Sequence, residues 1–328
     1  MKTIAITDIP GIRIGQVENA EGATGVTVIV AENRMAAGVD VRGGGPASRD
    51  SRTLDPLAAA EQIDAVVLAG GSAYGLDAAG GVMRCLEERG MGLPVGDAVV
   101  PLVCQSDIFD LLVGENVRPD AQMGHDACAA AFEGEAGNYR DGNFGAGCGA
   151  TVGKALGGDF CMKSGIGSYA VQLGELQVGA IVVVNALGDV RDNAGETIAG
   201  LLDDDRTSFR DTETVMFAAY EAGALAADAG DGMPTNTTIG AVITNAALPK
   251  AQLCKVAGMA HDGMARAIRP VHTSMDGDTI YALSVGNVDA NLDLVGTLAA
   301  HVVARAIECA VTSAEGAYGL PCARDLEK

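Results

Sequence analysis

Short aliphatic and β-branched runs, several of which end at glycine turns, constrain the fold of this chain most. GIRIG, GVTVIVAE, GVDVRGGG and DAVVLAGG all lie before residue 72, and a helical period follows over residues 72–90. Glycines placed directly after strands mark turns where the backbone passes close to another part of the molecule. The pattern predicts an α/β fold. With 45 glycines and no Trp, its layers must be thin and built from Ala, Val, Leu and Ile.

The remainder of the chain continues this α/β pattern. The run VQLGELQVGAIVVVNALGDV predicts two strands joined by a polar turn. Residues 193–229 predict two acidic helices, the second with Val215, Ala218 and Ala219 toward the core. The elements predicted after these are a strand at 238–244, a helix at 250–268, a strand at 279–285 and a long helix from about Asn291.

The composition excludes several classes of partner. The formal net charge is −21, from 43 acidic and 22 basic residues, which repels nucleic acids and anionic membranes. An acidic surface suits substrates that carry an amine, although solubility alone also explains it. The eight cysteines form no C-x-x-C pair and no cluster with histidine, so we expect free buried thiols and neither a metal nor an organic cofactor.

The amino terminus and the hydropathy pattern bear on location. MKTIAITDIPGIRIG lacks a charged and then apolar leader, and the apolar stretch around 180–184 is too short to span a bilayer. We therefore expect a soluble, cytoplasmic protein.

The glycine-rich segment 145–154 resembles a phosphate-binding loop only superficially. A P-loop needs glycine at 148 and serine or threonine at 155, where this chain has Cys148 and Ala155. A dinucleotide-binding turn needs a clear strand before it, and GNYRDGNF is a poor one. A structural turn or strand is the better interpretation.

Asn236-Thr237-Thr238 lies at an abrupt change of pattern. Residues 230–236 are turn formers, whereas 238–244 form a strand of the buried type. An ordinary loop-to-strand junction and an unused glycosylation sequon are the simplest interpretations. The position favours another, because a single cut before Thr237 would turn a hydroxyl residue at the start of a core strand into a new amino terminus.

Such a terminus would carry its own base. A threonine hydroxyl is a weak nucleophile until a base removes its proton, and the new α-amine, with a reference pKa of about 7.7 to 8.0, can be that base. No histidine is then required, and none of His125, His261, His272 and His301 lies in a recognisable Ser-His-acid motif.

Three further positions are candidates for the same site. Asp276 and Asp278 flank Gly277, which first of all predicts a hairpin turn, but the two carboxylates could orient the Thr237 hydroxyl and hold its ammonium. Lys163 lies between glycines and could equally be a surface lysine. Asn185 ends an apolar strand and is either a structural bridge or a donor to an oxyanion.

Seven ordered blocks resemble the L-aminopeptidase/D-esterases, the S58-type self-processing peptidases that include β-peptidyl aminopeptidases and nylon-oligomer (6-aminohexanoate) hydrolases. The blocks extend over almost the whole chain and are VRGGGPASRD, LAGGSAYGLDAAGGVMRCLEERG, GAGCGATVGK, KSGIGS, VGAIVVVNALGDV, NTTIGAVITNA and DGDTIYALS. The resemblance implies one domain over 1–328, folded as a four-layer αββα sandwich of the kind also found in ornithine acetyltransferases.

The resemblance also implies an activity. The chain would cut itself into a large chain, 1–236, and a small chain of 92 residues, 237–328, and the cut units would assemble into a homo-oligomer, a tetramer of cleaved heterodimers. The substrates would be short peptides, amino-acid amides or esters, or ω-amino-acid oligomers with a free amine. An acyltransferase of the ornithine acetyltransferase type and an uncut scaffold protein are the alternatives.

By the same resemblance the site residues take roles. Thr237 is the nucleophile, Asp276 and Asp278 lie beside it, Lys163 lies near it, and Asn185 helps to stabilise the oxyanion. Two family features differ here: Phe109 follows the block where some relatives carry a tyrosine donor, and Ala47-Ser48-Arg49 replaces the usual Gly-Thr-Arg.

Overall fold

The computed structural model describes residues 1–134, 136–223 and 235–326. In these residues the strands are β1 (Lys2–Ile4), β2 (Ile12–Asn19), β3 (Thr24–Val41), β4 (Ala47–Arg49), β5 (Ile63–Ala69), β6 (Leu93–Val95), β7 (Ala98–Val100), β8 (Val103–Asp107), β9 (Thr151–Val152), β10 (Met162–Lys163), β11 (Ile166–Leu173), β12 (Leu176–Asn185), β13 (Asp189–Arg191), β14 (Thr197–Ala199), β15 (Thr237–Ala246), β16 (Ile268–Arg269) and β17 (Thr279–Val288). The α-helices are α1 (Ala78–Glu87), α2 (Ala121–Ala130), α3 (Thr212–Glu221), α4 (Lys250–Ala267), α5 (Leu292–Ser313) and α6 (Ala323–Leu326).

Two sheets share the long strand β3. Its first half pairs with β2 and β5, and the first sheet continues from β5 through β8 to β4. Its second half pairs with β17, and the second sheet runs on through β15, β12 and β11 to β1. The two runs that the sequence showed as separate, GVTVIVAE and GVDVRGGG, are therefore one strand that crosses from one sheet to the other.

Three apolar cores separate the layers. Alternate residues of both sheets, among them Ile29, Leu68, Ile181 and Tyr281, pack against each other in the middle core. The outer face of the second sheet packs against α4 and α5, and the outer face of the first sheet packs against α1 and α2. The order helix, sheet, sheet, helix confirms the predicted αββα sandwich.

Most predicted elements are present, and one is wrong. The helix within 72–90, the paired strands β11 and β12, and the elements from β15 to α5 agree with the sequence to within a few residues. Of the two helices predicted in 193–229 only α3 forms in the described part, and its Ala218 is exposed. Residues 197–199 instead form β14, because Gly195 turns the chain back at φ +89° and Val190 then pairs with Ala199.

The structure also bears on the cysteines and on possible membrane-spanning segments. All eight cysteines are free, and all are buried except Cys254 and Cys309, which are half-buried. α5 has the length and apolar composition of a membrane-crossing helix, which the sequence analysis overlooked, but 72% of its most apolar stretch is buried inside the fold. Residues 230–234 of the predicted turn-former run lie outside the described residues.

The fold brings the start of β15 to a glycine turn. β15 lies between β12 and β17, so its first residue, Thr237, emerges in the centre of the second sheet. The turn after β3 packs on the segment before β17: Gly45 donates its N–H to Asp276 O at 2.9 Å, and a Cβ on Gly43 would lie 2.3 Å from Asp278 N. Glycine is required at 43 because backbone passes there at contact distance.

Candidate active site

The Thr237 hydroxyl faces the carbonyl group of the residue before it. Thr237 is buried, with 4% of its surface exposed, and its Oγ1 donates a short hydrogen bond to the carbonyl oxygen of Asn236. This places a potential nucleophile beside the peptide bond whose cleavage would free it. The register of β15 fixes the position, because Thr237 pairs with Asn185 of β12.

The same carbonyl oxygen accepts a second hydrogen bond. Gly277 donates its backbone N–H to Asn236 O at 2.9 Å. A Cβ at Gly277 would lie 2.7 Å from Thr237 Oγ1 and 2.8 Å from Gly45 O, so the residue between the two aspartates must be glycine. A backbone N–H held on a carbonyl oxygen is the arrangement that stabilises the negative charge of a tetrahedral intermediate.

The two predicted carboxylates flank this N–H and are both buried. Asp278 Oδ1 accepts the N–H of Thr238 at 2.8 Å. Asp276 Oδ2 accepts from the N–H and the hydroxyl of Thr273 at 2.9 and 2.6 Å. Burial, together with the neighbouring charge of Asp278, raises the pKa of Asp276. Of the two side chains, that of Asp278 therefore hydrogen-bonds the strand that begins at Thr237.

A histidine that the sequence analysis did not select completes this cluster. His272 Nδ1 lies 2.8 Å from Asp278 Oδ2, and the His272 backbone N–H donates to the same oxygen at 3.1 Å. His272 lies six residues before Asp278 in the sequence. The contact between its ring and the carboxylate depends on the conformation of the loop between them, which the sequence does not show.

Asn185 lies opposite Thr237 and makes several hydrogen bonds. Its side-chain NH₂ donates to Phe109 O at 3.0 Å, and its Oδ1 accepts from Thr151 N at 3.1 Å and from Lys154 Nζ at 2.9 Å. In the described residues the Asn236 carbonyl oxygen accepts from Thr237 Oγ1 and Gly277 N–H, whereas Asn185 joins the end of β12 to its surroundings.

Lys154 is the lysine that reaches the cleavage segment. Its Nζ donates to Thr235 O at 3.2 Å, one residue before the scissile bond, and to both oxygens of Asn185. Burial lowers the pKa of Lys154 to about 8, against the opposing effect of nearby acids that include Asp276 and Asp278. In the sequence, Lys154 ends the glycine-rich segment 145–154, which lacks the residues of a P-loop.

Lys163, the lysine that the resemblance placed near the nucleophile, has different contacts. Its side chain is fully buried, and its Nζ donates to the backbone carbonyls of Gly147, at 3.1 Å, and Ala150, at 3.2 Å, and of Ser164. Burial lowers the pKa of Lys163 to about 8. In the described residues its ammonium holds the glycine-rich segment together and makes no hydrogen bond to Thr237.

A cavity of about 360 Å³ opens on the Thr235 side of the scissile bond. Its lining combines aliphatic and polar side chains, including Phe109, Leu112, Lys154, Asp159 and Tyr318. Phe109 stands where a tyrosine donor was in question, and it contributes an apolar wall with no hydroxyl. The space lies on the amino-terminal side of the Asn236–Thr237 bond.

The altered Ala47-Ser48-Arg49 segment forms β4 at the edge of the first sheet. Arg49 donates to Leu76 O at 3.0 Å, which ties this edge to the segment before α1. No group of three or more histidine, cysteine, aspartate or glutamate side chains that could hold a metal occurs in the residues that the structure describes.

Comparison with known proteins decides the family. The model of peptidase family S58 matches residues 5–321. The chain belongs to this family. An uncharacterised aminopeptidase of Mycobacterium tuberculosis is 40% identical over 98% of this chain and 97% of its own length. A 6-aminohexanoate-oligomer endohydrolase of Paenarthrobacter ureafaciens is 34% identical over 86% of this chain and 75% of its own. The chain is accordingly an amidohydrolase of the aminopeptidase type.

Two solved structures share the fold. The L-aminopeptidase D-Ala-esterase/amidase of Ochrobactrum anthropi, described as a variant of the Ntn hydrolase fold, superposes with a TM-score of 0.68 at 19% identity. A Burkholderia β-aminopeptidase superposes with a TM-score of 0.67 at 21% identity. Each alignment covers 94% of this chain and 86% of the other. The family and the fold predicted from the sequence are both confirmed.

Proposed function

We propose that the chain cuts itself between Asn236 and Thr237, and that the freed Thr237 then hydrolyses amide bonds of short substrates bearing a free amine. The observation that carries the proposal is the pair of contacts at the Asn236 carbonyl oxygen, with the Thr237 hydroxyl on one side and Gly277 N–H at 2.9 Å on the other. The nucleophile and an oxyanion donor thus meet at one peptide bond.

Self-cleavage follows as an acyl shift. Thr237 Oγ1 bonds to the Asn236 carbonyl carbon while its proton passes to the Thr237 nitrogen, and Gly277 N–H stabilises the oxyanion. The bond from that carbon to the Thr237 nitrogen then breaks, and the nitrogen leaves as a protonated amine. Water hydrolyses the resulting ester, which releases the Asn236 carboxylate and restores the hydroxyl.

Substrate hydrolysis repeats these steps with the freed amine as the base. The neutral α-amine of Thr237 accepts the hydroxyl proton, the hydroxyl attacks the substrate carbonyl, and the leaving amine takes the proton. The acyl group occupies the space on the Thr235 side, and water releases it from Thr237. All groups used are those of the chain itself and water.

The relatives support the substrate class. Their names describe an uncharacterised aminopeptidase and an endohydrolase of 6-aminohexanoate oligomers. We extend this class to the present chain: short peptides, amino-acid amides or esters, and ω-amino-acid oligomers. The cytoplasmic tetramer of cleaved heterodimers remains a prediction.

Replacement of Thr237 tests the proposal. Thr237→Ala removes the only atom that can attack, so we expect no self-cleavage and a loss of hydrolysis of more than about 10⁴-fold. Thr237→Ser is the matched control, since it keeps the hydroxyl and should still be cut. Intact-mass spectrometry and amino-terminal sequencing should find a fragment beginning Thr-Thr-Ile-Gly in wild type and Thr237→Ser only.

The same material distinguishes the alternatives. An intact single chain after long incubation of the wild-type protein would support the scaffold alternative. A cut chain in which added amine acceptors outcompete water for the acyl group would support acyl transfer. Normal turnover by Thr237→Ala would refute the nucleophile.

A further inference from the structure

Asp278 holds the nucleophile strand with one oxygen and is itself held through the other. Its Oδ1 accepts the Thr238 N–H at 2.8 Å, and its Oδ2 lies 2.8 Å from His272 Nδ1. Asp278 is 1% exposed, so water does not supply these hydrogen bonds. The line from His272 through Asp278 to Thr238 ends one residue after the proposed nucleophile.

We propose that His272 is a positioning residue for the reaction at Thr237, acting through Asp278 to fix the new amino terminus; this inference rests on the proposed function. Once the bond before Thr237 is cut, the covalent link from Asn236 no longer holds the Thr237 nitrogen. The hydrogen bond from Thr238 N–H to Asp278 then helps to fix the position of the new terminus. An orientation error at that point would separate the amine from the hydroxyl that it must deprotonate.

The surroundings of the His272 ring show which of its nitrogens makes the hydrogen bond. His272 Nε2 is buried and has no hydrogen-bond partner in the described residues, whereas Nδ1 faces the carboxylate. The ring of His261 packs edge-on at 4.7 Å, and burial lowers the pKa of His261 to about 4, so this neighbour is neutral. His272 therefore makes its side-chain hydrogen bond to Asp278 through Nδ1.

The backbone at His272 is held in an uncommon conformation. Its φ is +59°, in the left-handed region that residues other than glycine and asparagine seldom adopt. This conformation lets its own N–H and its Nδ1 reach the same Asp278 oxygen. The described hydrogen bonds of Thr237 include no imidazole, so His272 acts through Asp278.

Two substitutions separate the donor from the backbone conformation. His272→Asn tolerates the positive φ and keeps a side-chain N–H donor for Asp278, whereas His272→Gly tolerates the φ and keeps only the backbone N–H. We expect kcat to fall about 10- to 100-fold in His272→Gly with KM within about twofold, because loss of a hydrogen bond to a charged group removes orientation and leaves substrate binding intact. His272→Asn should stay within about threefold of wild type.

The outcomes are distinct. His301→Ala, which changes a histidine on α5 away from the site, is the matched control and should behave as wild type. Equal loss in His272→Gly and His272→Asn, or wild-type kcat in His272→Gly, would overturn the positioning role.

Amino-terminal sequencing of the wild type keeps the two proposals apart. Wild-type material that is active but uncut defeats the proposed function, whereas cut and active wild type with an unaffected His272→Gly defeats only this inference. If His272→Gly does not fold, His272→Ala, which also lacks a side-chain donor, replaces it.

Discussion

At the scale of single residues, Lys154 and Lys163 have separable tasks. Lys154 donates to Thr235 O and Asn185, next to the scissile bond. Lys154→Met preserves length and apolar stem but removes these charged donors. We expect self-cleavage to slow about 10- to 100-fold, because a hydrogen bond from a charged group contributes about 1.5–3 kcal/mol. The fraction of intact chain against time, measured by mass spectrometry, checks this.

Lys163→Met is the matched comparison, and its effect should appear in stability. The variant removes the ammonium hydrogen bonds to the carbonyls of Gly147 and Ala150, which keep only backbone N–H donors, so the melting temperature should fall. The pKa of Lys163 is about 8 in the fold against 10.5 as its ordinary value, so the unfolded chain binds more protons between these pH values. The free energy of unfolding contributed by Lys163 therefore rises with pH over that window, by up to about 3 kcal/mol. A wild-type advantage over Lys163→Met that shrinks from pH 8 to pH 10 would contradict this.

The sequence could predict the site residues that depend on a local pattern, but not those that depend on contacts between loops distant in the chain. Thr237 was found because a strand signal begins immediately after turn formers. Lys163 was preferred to Lys154 for its position between glycines and by the resemblance, but Lys154 also lies in a glycine-rich segment, directly after Gly153. Only the packing of the glycine-rich segment shows which ammonium reaches Asn185. The sequence shows His272, but no periodicity relates this loop residue to the Asp278 carboxylate that it contacts.

At the scale of elements, α1 and α2 pack through glycines, which permits a matched test. Gly81 of α1 lies against α2, where an added Cβ would be 1.6 Å from Ala121 O, whereas Gly80 meets only the Arg49 guanidinium, at 3.8 Å. Gly80→Ala should raise the free energy of unfolding by about 0.5–1 kcal/mol through helix propensity. Gly81→Ala should lower it by several times that amount, because the two helices must move apart.

Chemical denaturation of the two variants beside wild type measures both effects. Equal behaviour of Gly80→Ala and Gly81→Ala would show that this contact does not limit the spacing of the helices. The sequence predicted the helix and its glycines, but two adjacent glycines look alike until the partner helix is known.

The secondary-structure prediction was wrong where short strands and turns replace a predicted helix. The acidic composition of 193–210 resembles a solvated helix face. The structure instead uses Asp189 as a hub that accepts from Leu201 N and from both the N–H and hydroxyl of Thr212. These partners lie 12 and 23 residues away, beyond the window in which periodicity carries information.

At the scale of the whole molecule, cleavage at Asn236 should leave the fold intact. β15 becomes the first element of the small chain, yet it stays paired with β12 of the large chain over Val178 to Asn185. α5 of the small chain packs on β11 and β12 of the large chain in the same outer core as α4. The interface between the two chains would be the interior of a domain, which is larger and more apolar than that of a transient complex.

We therefore expect the two chains to separate only on unfolding. Cut protein should elute as one species from native size exclusion, give two bands in denaturing gels, and melt in one cooperative transition. The cut removes one peptide bond at the edge of the site, so the apolar cores that supply most of the stability are unchanged. Uncut Thr237→Ala protein is the reference. A small chain released under native conditions, or a separate melting step absent from the reference, would show that β15 is held by the covalent link and not by the strands on either side of it.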